Sequence, residues 1–217
     1  MPPGRAVRSA RGAARPRRRI RLDNDQRRAQ LLALARRAFS DRSYDEVSID
    51  DLARVAGISK GLLYHYFPTK RDLYVAGLRE IADELVDAVT RVADDLPPID
   101  RVRNSVDAYL EHLTRHSRAF VALMRGGIGS DPEVAAVIES VRTRLFDRLL
   151  SGSSLATLLT GDPRLETAIR GWIGFVEAAS IDWCANPRLP RDQLRDLLTS
   201  VLFEILRVAV PVAAPPR

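Results

Sequence analysis

The segment from Val47 to Val75, VSIDDLARVAGISKGLLYHYFPTKRDLYV, constrains this chain more than any other stretch. Ser48 stands before an apolar-periodic run and can cap a helix, with Asp51 three residues on to reach back toward the free amides. Ile49, Leu52, Ala53 and Val55 supply an inward face, and Ala53 is small enough for a second helix to come close. Gly57 can take the left-handed conformation that ends one helix and swings the chain into the next. Ile58 then plugs the corner, and Ser59 caps a helix of about two turns that ends at Phe67-Pro68. Leu63 and Phe67, four apart, face the core. Lys60, Gly61, Leu62, Tyr64, His65 and Tyr66 are left outward or at the edge. Two tyrosines, a histidine and a lysine exposed together add little to stability. They suit a major groove, where donors and flat rings meet base edges and phosphates.

The rest of the chain keeps helical periodicity from Leu22 onward. Leu31, Leu34, Ala35, Ala38 and Phe39 share one face of a first helix, followed by a turn through Asp41–Tyr44. Thr69 and Asp72 repeat the capping arrangement before a long helix whose buried side holds Tyr74, Leu78, Ile81, Leu85, Val89 and Val92, with Pro97-Pro98 as its stop. Val102, Val106, Tyr109 and Leu113 form a further stripe, and Phe120 to Met124 a separate short helix closed by Gly126-Gly127. Asp131-Pro132 and Asp162-Pro163 each pair a cap with a proline at the first helical position, and Pro190 opens the last helix. Alternating strand patterns and internal repeats are missing, so the expected fold is all-α.

Charge is unevenly placed. Residues 1–22 hold eight arginines and no acid, so the body carries 26 basic against 28 acidic residues, and the net +6 belongs to the tail. Such a tail is expected to be disordered and able to follow phosphates. No apolar run is long enough for a bilayer and no secretory pattern is present, and the single Cys184 suits a reducing compartment. A cytoplasmic protein is expected.

Ser48, Leu52-Ala53, Ala56-Gly57-Ile58-Ser59, Gly61, Leu63-Tyr64, Tyr66-Phe67, Lys70 and Leu73 together resemble the signature of the TetR/AcrR family, complete from the cap to the entry of the long helix. The resemblance implies a three-helix N-terminal helix-turn-helix DNA-binding domain (residues 23–69) joined by a long helix to a helical dimerisation and ligand-binding domain (residues 70–210). It puts Lys60, Gly61, Leu62, Tyr64 and His65 against the groove and Ser48, Tyr66 and Lys70 on phosphates, with Ser59 and Thr69 at the flanking helix starts. Leu62 departs from the threonine of many relatives and offers a thymine methyl an apolar contact instead.

The resemblance further implies a homodimeric repressor that binds palindromic double-stranded operator DNA. A short recognition helix reads few base pairs, so two copies are needed. The last two helices are the expected dimer surface, with Gly171, Gly174, Ala178 and Ala179 permitting close approach. A cavity in the regulatory half is expected to be lined by Tyr109, His112, Phe120, Met124, Phe146, Trp172, Phe175 and Trp183 and to take a small hydrophobic or amphipathic effector. An activator of the same fold and a low-specificity DNA-coating protein are the alternatives. No nucleophile–base pair, dinucleotide fingerprint or convincing metal set points to an enzyme or a cofactor. His112 and His116 share a helix face without a third ligand, Gly126, Gly127 and Gly129 read as a connection, and Cys184 beside Trp183 reads as packing.

Overall fold

The computed structural model describes residues 24–91, 95–125, 127–150 and 162–209. The Arg-rich tail of residues 1–22, Val92 and Gly126 lie outside them. Among the described residues there are eight α-helices and no strand: α1 (Asn24–Asp41), α2 (Ile49–Ala56), α3 (Lys60–Tyr66), α4 (Lys70–Thr90), α5 (Pro98–Arg125), α6 (Pro132–Leu150), α7 (Pro163–Ala185) and α8 (Arg191–Ala209). A 3-10 turn over Gly127–Ser130 links α5 to α6.

Two apolar cores organise these helices. The first gathers Leu31, Ala35 and Phe39 of α1, Leu52 and Ala53 of α2, Leu63 and Phe67 around α3, and Leu73, Tyr74 and Leu78 of α4. Val134 and Val137 of α6 join it, so the N-terminal head is closed by a helix from the other half. The second core packs α5 against α7 and α8 through Val106, Leu110, Leu113, Ile169, Trp172, Val176, Leu194, Leu198 and Leu202. Helix α4 feeds both, giving Leu73 to Ala82 to the first and Val89 to the second. At Gly77 a side chain would meet the α1 backbone at 3.4 Å, so this glycine lets α1 and α4 approach closely.

Ion pairs tie the head to the remainder. Arg71 of α4 donates to Asp131 at 2.5 and 2.7 Å and to Glu133 at 2.9 Å, bracing the start of α6. Arg118 of α5 pairs with Glu46 in the α1–α2 connection. Trp172 Nε1 donates to the Leu198 carbonyl at 2.9 Å and joins α7 to α8.

Several expectations are corrected. Val55 is 64% exposed, because its position on the two-turn α2 falls past the stripe made by Ile49, Leu52 and Ala53. The long helix stops at Thr90, not at the proline pair. Pro98 instead begins α5, where its missing N–H is no loss, and the amides of Asp100 and Arg101 bond the Pro97 carbonyl. Phe120 to Met124 lie, as expected, on a short helical stretch that ends at Arg125, set off from the first part of α5 by a break at His116, whose φ of −127° and ψ of 21° are non-helical.

Candidate nucleic-acid interface and internal cavity

The helix starts around α3 are built from hydroxyls. Ser48 Oγ accepts from the Asp51 amide at 3.3 Å and Ser59 Oγ from the Leu62 amide at 3.1 Å. The Asp51 carboxylate does not reach back as expected, since Arg54 holds it at 2.7 Å. Thr69 and Asp72 form the full reciprocal box, and Thr69 Oγ1 both accepts from the Asp72 amide and donates to its carboxylate. Ser48 and Ser59 therefore keep an O–H for a phosphate, while both capacities of Thr69 are used inside its cap. Gly57 takes φ +65° and ψ +33°, the left-handed corner that only glycine adopts freely.

Helix α3 is held by Leu63, 1% exposed, and by Phe67 just past its end, 2% exposed and covered by the Arg28 guanidinium. Its other face is open. Leu62, Tyr64 and His65 are exposed, Tyr66 is half-buried against the His65 ring, and Gly61 presents bare backbone. Lys60 Nζ sits 3.0 Å from Asp50 on α2, a hydrogen bond that raises the lysine pKa. Lys70, first residue of α4, lies 4.4 Å over the Tyr44 ring, which meets Tyr74 edge-on. The ten residues expected to face DNA lie at the start of α2, along α3 and its cap, and at the start of α4. Asp50 and Tyr44, which orient the two lysines, were not anticipated; neither has a local sequence signal, since each partner is brought across a turn.

Behind this surface lies a cavity of about 190 Å³ walled by α1, α4, α5, α6 and α7. Tyr109, His112, Phe120, Met124 and Trp172 line it as expected from their positions, while Phe146, Phe175 and Trp183 do not. Phe146 lies under the Arg170 guanidinium, Phe175 is 37% exposed, and Trp183 Nε1 bonds the Leu189 carbonyl. Phe39 and Ser40 of α1 and Tyr74 and Leu78 of α4 complete the wall at the head end. The periodic face of α4 could have indicated the latter pair, but nothing local marks the α1 residues.

The wall is mostly apolar. Glu177 is engaged bidentately by Arg142 at 2.8 and 2.7 Å. The Tyr109 hydroxyl lies beside Ser180, neither within hydrogen-bond geometry of a partner, and burial pushes the phenol pKa up. Burial, then the His116 and Arg115 charges, push His112 down to about 4, so its imidazole is neutral at pH 7. Among the described residues no group of three or more metal-binding side chains occurs, and no helix is long and apolar enough to cross a membrane.

Residues 31–77 match the family described as bacterial regulatory proteins, tetR family, and residues 98–205 match the tetracyclin repressor-like C-terminal domain. The transcriptional activator FasR of Mycolicibacterium smegmatis is 33% identical over 154 residues, covering 67% of this chain and 70% of FasR. The regulator EthR of Mycobacterium tuberculosis is 31% identical over 164 residues, covering 67% and 76%. A tetR-family regulator from Streptomyces coelicolor superposes with a TM-score of 0.78 at 35% identity, over 87% of this chain and 83% of that one. With the helix-turn-helix surface, the all-helical architecture and these matches in hand, the chain is a DNA-binding transcriptional regulator, not an enzyme, and belongs to the TetR family.

Proposed function

We propose that this regulator binds a palindromic operator as a homodimer and that a small, mostly apolar effector in the internal cavity releases it, making it a repressor. One observation carries the reading: the cavity wall includes Phe39 and Ser40 of the head together with α5, α6 and α7 of the body. A molecule filling it presses on α1 and α4 directly, so occupancy and head position are coupled through contact. The Arg71–Asp131 and Arg118–Glu46 pairs supply two further links that a shift of α6 or α5 would pull.

Lys60, Gly61, Leu62, Tyr64 and His65 are assigned to base edges, and Ser48, Ser59, Tyr66 and Lys70 to the backbone, while Thr69, its hydroxyl spent in the cap of α4, holds the start of the helix that presents Lys70. In this arrangement Asp50 must hand Lys60 to the DNA, an exchange that an exposed pair permits at little cost. Dimerisation is assigned to the outward face of α7 and α8. Gly171, Gly174, Phe175 and Ala178 are exposed there, with Leu197 45% and Val208 69% exposed on α8. A side chain at either glycine would meet nothing within 4 Å in the single chain, which leaves room for a second copy. Two copies present two α3 helices to half-sites about one turn of DNA apart.

A second reading, activation, has one observation behind it: FasR is named an activator. Titrating apolar compounds against the protein bound to a labelled operator tests both. Release of DNA supports repression, retention or tighter binding supports activation, and a sedimenting monomer on DNA would contradict the dimer.

A further inference from the structure

The proposed effector reading leaves the chemistry of the effector open, and one side chain addresses it. His112 is 9% exposed and lines the cavity, set in the apolar stripe of α5. Its ring meets that of His116 edge-on, centroids 4.8 Å apart, at the point where α5 kinks. A neutral imidazole offers one N–H and one lone pair to whatever fills the cavity, and the same wall holds two buried polar atoms without a partner among the described residues, the Tyr109 hydroxyl and His116 Nδ1. Apolar side chains fill the neighbouring positions of the same stripe, among them Leu113 and Phe120.

We propose that His112 is the polar anchor of the cavity and that the effector carries an uncharged hydrogen-bonding group, a carbonyl, amide or hydroxyl, on an apolar frame. This rests on the cavity being the effector site.

Two features argue against a charged group. The charged side chains of the wall are already engaged: Glu177 by both arms of Arg142, and Arg101 and Arg148 by partners of their own, so neither an ammonium nor a carboxylate gains a free counter-ion. The imidazole itself reports the local cost of charge. Burial is the first cause that holds it neutral down to about pH 4, and a carboxylate or ammonium at the same depth meets the same desolvation. A carbonyl accepting from the ring N–H, or a hydroxyl donating to its lone pair, satisfies His112 without bringing charge into the wall.

The test uses the full chain and three probes of equal length, decan-2-one, decanoate and decylamine, titrated at pH 7 with Trp172 fluorescence, read in a Trp183→Phe background, as the readout. The ketone should bind about tenfold or more tighter than either ion. His112→Leu should weaken the ketone about tenfold and leave the ions unchanged, while His112→Gln, which keeps a donor and an acceptor, should recover most of the loss. In the wild-type protein the ketone should also shift the His112 ring-nitrogen resonances, a measurement independent of whether the leucine variant folds. Tighter binding of decanoate or decylamine, or ketone binding that does not move the His112 resonances, overturns the anchor while leaving the effector cavity in place. Failure of all three probes and of their six- and fourteen-carbon homologues to bind or to release DNA would overturn the cavity as the effector site, and the anchor with it.

Discussion

Replacing Leu63 with alanine removes the one buried side chain within α3. That helix has seven residues, fewer than a helix needs to persist alone, so its place on the head depends on Leu63 and on Phe67 beyond its end. Leu63 is 1% exposed and sits in the first core among Leu31, Phe39, Leu52 and Leu73, where little can collapse into the space left behind. A cost of about 3 kcal/mol follows from such a truncation. It falls on local opening of the head, because the second core contains no residue of α3. At about 1.4 kcal/mol per decade, opening becomes roughly a hundredfold more frequent. Hydrogen exchange followed by mass spectrometry should show residues 58–68 exchanging about a hundred times faster, with α7 and α8 unchanged. Operator affinity should fall accordingly, while the oligomeric state persists. Val55→Ala is the control: its side chain is 64% exposed and its loss should change stability by less than about 0.5 kcal/mol. Exchange of the Leu63→Ala head within a few-fold of wild type would refute the claim that this side chain holds the recognition helix.

Acid stability should carry the signature of His112. Its native pKa, near 4, lies below the unfolded value near 6.5, so its contribution is complete above pH 6.5 and is lost as pH falls toward 4, by about 3 kcal/mol. Urea denaturation at pH 7 and pH 4 should show that part of the loss missing in His112→Leu; equal losses in both proteins would contradict a buried neutral imidazole. Gly57→Ala should lower stability by roughly 1–2 kcal/mol through backbone strain alone, since no neighbour lies within 4 Å of the added methyl, and Gly57→Asn should cost less. An unchanged melting temperature in the alanine variant would count against the left-handed corner. Tyr64→Ala should alter which sequences are preferred, whereas Lys70→Ala should weaken all sequences alike and lower the salt slope by about one. Identical uniform losses would contradict the separate roles given to them.

Local chemistry carried much of the fold into the sequence. The caps at Ser48, Ser59 and Thr69 and the corner at Gly57 depend on residues within three positions of each other, and the structure has each of them. The prolines are legible as helix starts at Pro132 and Pro163, yet Pro97-Pro98 suits a stop as well as a start, because the residue alone does not say which neighbouring helix owns it. The kink at His116 has no glycine or proline to announce it. The cavity was legible where an aromatic shares the Tyr109–His112–Phe120 side of α5 or faces it from Trp172. Phe175 belongs to the same helix as Trp172 but points outward three residues later, a difference of rotation that composition does not encode. Phe39 and Ser40 enter the wall through the packing of α1 on α4 and α5, so only the assembled head reveals them.

Selection of fragmented genomic DNA on the purified protein at near-physiological salt, with sequencing of what is retained, tests operator recognition most directly. Sequence-specific recognition by α3 should enrich a few palindromic sites near promoters by roughly a thousandfold over bulk DNA, an enrichment that disappears in Leu63→Ala. Uniform retention that fades with added salt and survives that substitution would contradict sequence-specific recognition by α3.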